Sequence, residues 1–260
     1  MDRLAVIDDE ARRFAEVLAA ADPRARVPTC PDWTAADLLW HLTEVHLFWG
    51  AILADGVQAV EQVEAADAGK PDRPATIAET LPLRERATAE LIDQLSRLDD
   101  DEPRWSWWSA DQTVGFTRRM QTYEATMHRV DAELTACQSV GPIAPEVAAG
   151  SIDHCVDVMW GWLEPWATYE PQTVMELVAD DLDQRWLVEV GHWFGTEPES
   201  GRTWDFPRAV RATGGNPAVR VTAPVVDLAR WAWVRGGTAE ITGEPEARAV
   251  VDTLMRSGIQ

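Results

Sequence analysis

The sequence predicts a mainly α-helical bundle followed by a small α+β domain. Two observations carry that expectation. Up to about Trp166, apolar residues recur every three or four positions through long segments, the period of helices with one buried face. Beyond it, short β-branched or alternating runs lie between Gly, Pro and Asn, the punctuation of strands. The polar, proline-bearing stretch "ATYEPQT" separates the two regimes. It places a boundary near 166–172, with a bundle over residues 1–168 and an α+β domain over 169–260.

The elements follow in order. Leu4, Ile7, Phe14, Val17 and Leu18 form the stripe of a first helix over 2–21, and the three prolines of "ADPRARVPTCPDW" end it in a loop. Thr34 is the N-cap of a second helix, with Asp37 three residues on as in a capping box and Leu38, Leu42, Val45, Trp49 and Ile52 as its buried stripe. Ile77, Leu81, Leu91, Leu95 and Leu98 give a third helix over 76–98 despite Pro82. "DDDEPRWSWWSADQTVG" reads as a loop with an aromatic cluster, and a fourth helix runs from about Thr117 to Gln138 on Tyr123, Met127, Val130 and Leu134. A fifth covers roughly Glu146 to Trp166. "RWLVEVGHWFG", "RAVRATGG" and "AVRVTA" are strands; "VVDLARWAWVRG" and "PEARAVVDTLMRSG" are helices flanking a short strand, "AEITG".

Composition narrows the function. The chain has 260 residues and a formal charge of −21, from 44 acidic against 23 basic residues. That balance argues against nucleic acid, whose phosphates need a basic face, and against anionic membrane surfaces. A small anionic substrate stays compatible, because local arginines can dominate a pocket. Three cysteines without CxxC spacing suggest neither a disulfide framework nor a thiolate zinc site, which fits a reducing cytoplasm. The N-terminus lacks the apolar core of a signal peptide, and no apolar run approaches a membrane span.

Glu124 and His128 stand one turn apart beside the stripe of the fourth helix, so both project to the same side. They fit a surface pair, a buried pair or two ligands of a metal. In the second helix, His41 and His46 flank the buried stripe about 140° apart, so one of them, and not both, can meet Glu124 and His128 across a bundle interior. No HExxH, nucleophile elbow or glycine-rich phosphate loop is present.

"VPTCPDWTAADLLWHLTEVH", followed some eighty residues later by "YEATMHRVDAE", resembles the mycothiol-dependent maleylpyruvate isomerase family, whose metal-binding domain belongs to the DinB-like helical bundles. "VTAPVVDLARWAWVRGG" and "AEITGEPEA" resemble its smaller C-terminal domain. The resemblance implies His41, Glu124 and His128 as metal ligands and mycothiol as cofactor. Asp32 departs from the pattern, standing where the family usually has glycine. Two imidazoles and a carboxylate suit zinc with a position left open. Metal binding deprotonates a thiol, which can then catalyse cis–trans isomerisation by reversible addition, or S-transfer where the substrate carries a leaving group.

Asp131 shares the face of Glu124 and His128 and can hydrogen-bond a ligating imidazole; its competing roles are a solvated helix residue or a partner for Arg129. Arg235, in "WAWVRGG", is the candidate to bind a substrate carboxylate. His46, His154 and His192 are assigned to packing, as is Cys30. The expected partners are a small-molecule substrate and the thiol, on a cytoplasmic monomer or homodimer. The alternative is a non-catalytic metal- or apolar-ligand-binding protein, its pocket lined by tryptophans such as Trp105, Trp107 and Trp108.

Overall fold

The computed structural model describes residues 1–259. Its internal contacts divide the chain into two compact units, Met1–Pro142 and Ile143–Gln260.

Four long helices build the first unit: α1 (Arg3–Ala19), α2 (Ala35–Ala54), α4 (Ile77–Arg97) and α5 (Val114–Thr135), with the short α3 (Val63–Asp67) in the α2–α4 connection. They pack in a ring, α5 on α1, α1 on α4, α4 on α2 and α2 on α5. The stripes predicted from the sequence form its core, where Phe14, Val17 and Leu18 of α1 meet Leu38, Leu39 and Leu42 of α2, Ile77 of α4 and Ala132 of α5. Each fully buried leucine contributes about 1.5–3 kcal/mol relative to exposure. The Thr34 cap forms as expected: the Asp37 amide donates to Thr34 Oγ1 at 3.3 Å, and the Thr34 amide donates to Asp37 Oδ2 at 2.8 Å. A second capping box, Thr76 with Glu79, opens α4. Helix α5 starts earlier than its periodicity suggested, because Thr113 caps it through the Phe116 amide.

The proline-rich segment read as a loop holds a small antiparallel ribbon, β1 (Arg26–Val27) and β2 (Cys30–Thr34), with Pro28 and Thr29 at its turn. The ribbon is clipped to the start of α2, where the Ala35 amide donates to Ala25 O at 2.9 Å. Trp105 stacks on Trp49 and Trp107 packs edge-on against Phe116, so these two tryptophans cover the end of the bundle.

The second unit is a five-stranded sheet with helices. Strands β3 (Thr168–Ala179), β4 (Gln184–Thr196), β5 (Thr203–Arg211), β6 (Val219–Ala223) and β7 (Glu240–Gly243) lie in the order β5-β4-β3-β6-β7, parallel only between β3 and β6. Helix α7 (Val225–Ala232) packs on β3 and β6, and α8 (Pro245–Ser257) on β3, β4 and β5.

Two boundary expectations differ from what is observed. "ATYEPQT" is no linker but the start of β3. Pro171 is accommodated because the register with β4 shifts there in a bulge, which removes the need for its missing N–H. Opposite it stands Gly191, where a Cβ would approach Glu170 O to 2.1 Å. The fifth helix is short, α6 (Pro145–His154), followed by a π-helical turn, Cys155–Met159. It groups with the sheet unit rather than the bundle, since Trp233 Nε1 donates to Ser151 O at 3.1 Å and Trp186 Nε1 to Asp153 Oδ1 at 2.8 Å. The division therefore falls before α6, not near residue 168. Among the described residues no helix is long and apolar enough to cross a membrane.

Candidate metal centre

Helix α5 presents Glu124, His128 and Asp131 to one side, and the bundle's ring sets α2 against it. The His41 and His128 rings meet edge to face with centroids 4.9 Å apart. His128 Nε2 lies 3.2 Å from Glu124 Oε2. One donor atom from each of His41, Glu124 and His128 lies within 4.8 Å of the others. The choice between His41 and His46, open from periodicity, is thus decided by which neighbour each flank of α2 faces. His46 turns to α4, fully buried with Nδ1 3.2 Å from Thr88 Oγ1.

The opposite edge of His128 is also engaged. Nδ1 lies 3.0 Å from Asp131 Oδ2, and Thr29 Oγ1 donates to Asp131 Oδ1 at 2.5 Å. Asp131 is fully buried. Its rival partner is occupied elsewhere, because the Arg129 guanidinium donates to Glu10 Oε2 at 2.6 Å and to Glu133 Oε2 at 2.8 Å. Burial pulls the His128 pKa down, but the hydrogen bonds with Asp131 and Glu124 outweigh it and raise the ring to about 9. His41 is drawn down to about 4, by burial first and by the charge of His128 second.

These groups fit a divalent cation by their chemistry. His41 is neutral and so offers a lone pair, whereas His128, held protonated by its two carboxylate partners, would have to give up its Nε2 proton to an incoming cation. His128 with Nδ1 directed at a carboxylate leaves Nε2 facing Glu124, and the acidic Glu124 and Asp131 offset a positive ion. Two residues around the cluster lie in the stretch that carries the family resemblance, but the sequence assigned them no role. Thr29 sits at the turn of the β1–β2 ribbon, and Trp33 on β2 places its ring 4.6 Å from that of His41. Both come from a segment whose prolines read as loop.

Residues 4–133 match the family model described as the mycothiol maleylpyruvate isomerase N-terminal domain. The chain belongs to this family. Its fold extends beyond the matched half. A crystal structure of the mycothiol-dependent maleylpyruvate isomerase superposes with a TM-score of 0.62 at 15% identity, covering 94% of this chain and 93% of that one. The crystal structure of a histidine-to-alanine mutant of a protein of the same name gives 0.61, also at 15% identity and the same coverage. No curated protein sequence matches the chain. The bundle is the DinB-like part of the isomerase fold and the sheet unit its α+β part. Membership places the chain among enzymes of the mycothiol-dependent maleylpyruvate isomerase kind.

Arg235, expected to meet a substrate carboxylate, has a different employment. It is 4% exposed, and its Nη1 donates to Trp233 O at 2.7 Å and Ile259 O at 2.9 Å. The expectation of a substrate-binding group gives way to a scaffolding one, in which Arg235 ties the end of α7 to the C-terminal residues. His154 is buried and stacks on Trp233, as assigned. His192 is instead a cross-strand partner, its Nδ1 lying 2.8 Å from Asp205 Oδ1.

Proposed function

We propose that His41, Glu124 and His128 hold one divalent metal ion, with zinc the best match to two imidazoles and a carboxylate, and that the protein is a metal- and mycothiol-dependent isomerase or S-transferase of a small electrophile. The observation that carries the reading is the convergence of these three donors, drawn from α2 and α5, backed by a buried carboxylate on the far side of one imidazole. Bound there, the ion supplies Lewis acidity that makes a coordinated thiol a thiolate at neutral pH.

The protein's own residues have separable roles. Asp131, fixed by the Thr29 hydroxyl, orients the His128 ring through Nδ1 and keeps Nε2 aimed at Glu124. Trp33 limits solvent at the His41 edge. Mycothiol, held as a thiolate by the ion, would supply a nucleophile for reversible addition to an activated alkene, which would exchange cis for trans with no net change in composition. A substrate with a leaving group at the attacked carbon would give S-transfer instead.

The experiment is elemental analysis of protein purified without chelator, followed by assay with mycothiol and maleylpyruvate. About one divalent ion per chain is expected, and its loss in His128→Ala. Metal content unchanged by that substitution would refute the ligand assignment. A metal-loaded protein inactive with every thiol and electrophile tested would favour the non-catalytic binding alternative.

A further inference from the structure

Helices α2 and α4 run parallel: Arg84 Nη1 donates to Leu42 O at 3.0 Å, and one turn further along both helices His46 Nδ1 lies 3.2 Å from Thr88 Oγ1. The connection between them, residues 55–76, must therefore return along the length of α2, about 30 Å for its 20 residues. Two ion pairs fasten this strap to the helix. Lys70 Nζ lies 2.6 Å from Glu44 Oε1 and 3.1 Å from Asp67 Oδ1, and Arg73 Nη1 lies 2.7 Å from Asp37 Oδ1.

The two carboxylates of α2 bracket a residue of the proposed centre. Asp37 precedes His41 by four positions and Glu44 follows it by three, so the three share one flank of the helix. Glu44 is near enough to act on the ring: burial and the charge of His128 lower the His41 pKa, and Glu124 and then Glu44 oppose them. Lys70 Nζ, in contact with Glu44, thus stands about one turn of α2 from His41. His41 and Glu124 are both half-buried, which leaves the cluster an open side.

The two cations are not equally free to change partner. Asp37 also closes the cap of α2, accepting from the Thr34 amide and hydroxyl, so Arg73 is tied to a carboxylate that is itself fixed. Lys70 carries a compact ammonium on a flexible stem, and the side chain of its partner Glu44 is 37% exposed. Ion pairs of that exposure are weak, so an incoming carboxylate can take the place of Glu44 at little cost. The arginines of α5 are engaged elsewhere: Arg118 donates to Leu95 O and Leu98 O, Arg119 pairs with Asp111, and Arg129 with Glu10 and Glu133. In a chain of formal charge −21, an anion at the cluster needs such a local cation.

We propose that Lys70 determines the specificity of the centre, exchanging Glu44 for a carboxylate of a small acidic electrophile placed at His41, Glu124 and His128. The inference rests on the metal-centre reading and adds the substrate class to it.

Calorimetry on the zinc-loaded full chain, without thiol, tests it with maleate and glutarate as probes and their uncharged diamides as controls. The dicarboxylates should bind and the diamides should bind at least roughly tenfold more weakly. Lys70→Met should weaken dicarboxylate binding by about the same factor, whereas Glu44→Gln, which removes the competing acceptor, should tighten it. Opposite signs are the signature, because an ion pair that merely fastened the strap would be broken by either substitution with the same result. The proposal is overturned if the diamides bind as tightly as the dicarboxylates, if Lys70→Met binds like wild type, or if Lys70→Met and Glu44→Gln weaken binding alike. Arg73→Met weakening binding as much as Lys70→Met would show a general field effect and overturn it too. Metal content separates the two readings: zinc retained in His128→Ala overturns the centre and this proposal with it, while dicarboxylate affinity indifferent to Lys70 at full zinc content overturns this proposal alone.

Discussion

Replacing Asp131 with Asn tests whether the proposed centre is tuned from behind. The substitution keeps the size of the side chain and leaves an oxygen able to accept from His128 Nδ1, which now lies 3.0 Å from Asp131 Oδ2. What it removes is the negative charge, in a fully buried position where little solvent screens it. The imidazole then becomes a weaker base at Nε2, and the positive ion loses a nearby countercharge. Partners of this kind behind a ligating histidine are worth about 10–100-fold in metal affinity, or roughly 1.4–2.7 kcal/mol. Thr29→Val provides a graded companion, because it deletes the hydroxyl that fixes Asp131 Oδ1 but leaves the charge. Its loss should therefore be smaller than that of Asp131→Asn. Competition against a chromogenic chelator gives the affinity, and circular dichroism checks the fold. An Asp131→Asn protein that folds normally and binds zinc as tightly as wild type would refute the reasoning.

Other regions give sharper tests of stability. Arg129→Leu should destabilise the bundle by about 3–5 kcal/mol in chemical denaturation, because Glu10 and Glu133 lose their shared buried partner; an unchanged midpoint would show that the network is not structural. Arg235→Ala should lower unfolding stability by about 1.5–3 kcal/mol, the loss of a charged donor to two carbonyls. A rise in KM for an acidic substrate without that loss would instead restore the substrate-binding role. Asp37 is held down at about 2, chiefly by the Thr34 hydroxyl and then, against some burial, by the Thr34 amide and Arg73. A depressed carboxylate stabilises the fold above its unfolded pKa, near 3.8, and loses that contribution as pH falls towards 2. The melting-temperature gap between wild type and Asp37→Asn should accordingly shrink between pH 5 and 2, and a gap constant over that range would contradict the assignment.

The sequence by itself determined what depends on near neighbours along the chain. Apolar residues at helical spacing specified α1, α2, α4 and α5, because one buried face is enough to order such a segment. The Thr34 and Asp37 pair marked the start of α2, since the cap is closed within four residues. Glu124, His128 and Asp131 were legible as one face of α5, because their alignment is a property of the helix alone. Resemblance in two short motifs then singled out His41.

Tertiary structure decided whatever depends on which element stands opposite. Periodicity separated His41 from His46 but could not say which flank of α2 faces α5; the ring of helices sends His41 to His128 and His46 to Thr88. Asp131 had two candidate partners one turn or less away, and the choice came from α1, whose Glu10 draws Arg129 off. Pro171 hid a strand because a bulge, created jointly with β4, is invisible in β3 alone. Helix α6 looked like a continuation of the bundle, yet hydrogen bonds from Trp186 and Trp233 attach it to the sheet unit. Nothing in the sequence distinguishes Arg84 from the other charged residues of α4. Only the packing of α1 and α2 around α4 buries its guanidinium, because burial is set by long-range contacts that local spacing does not encode.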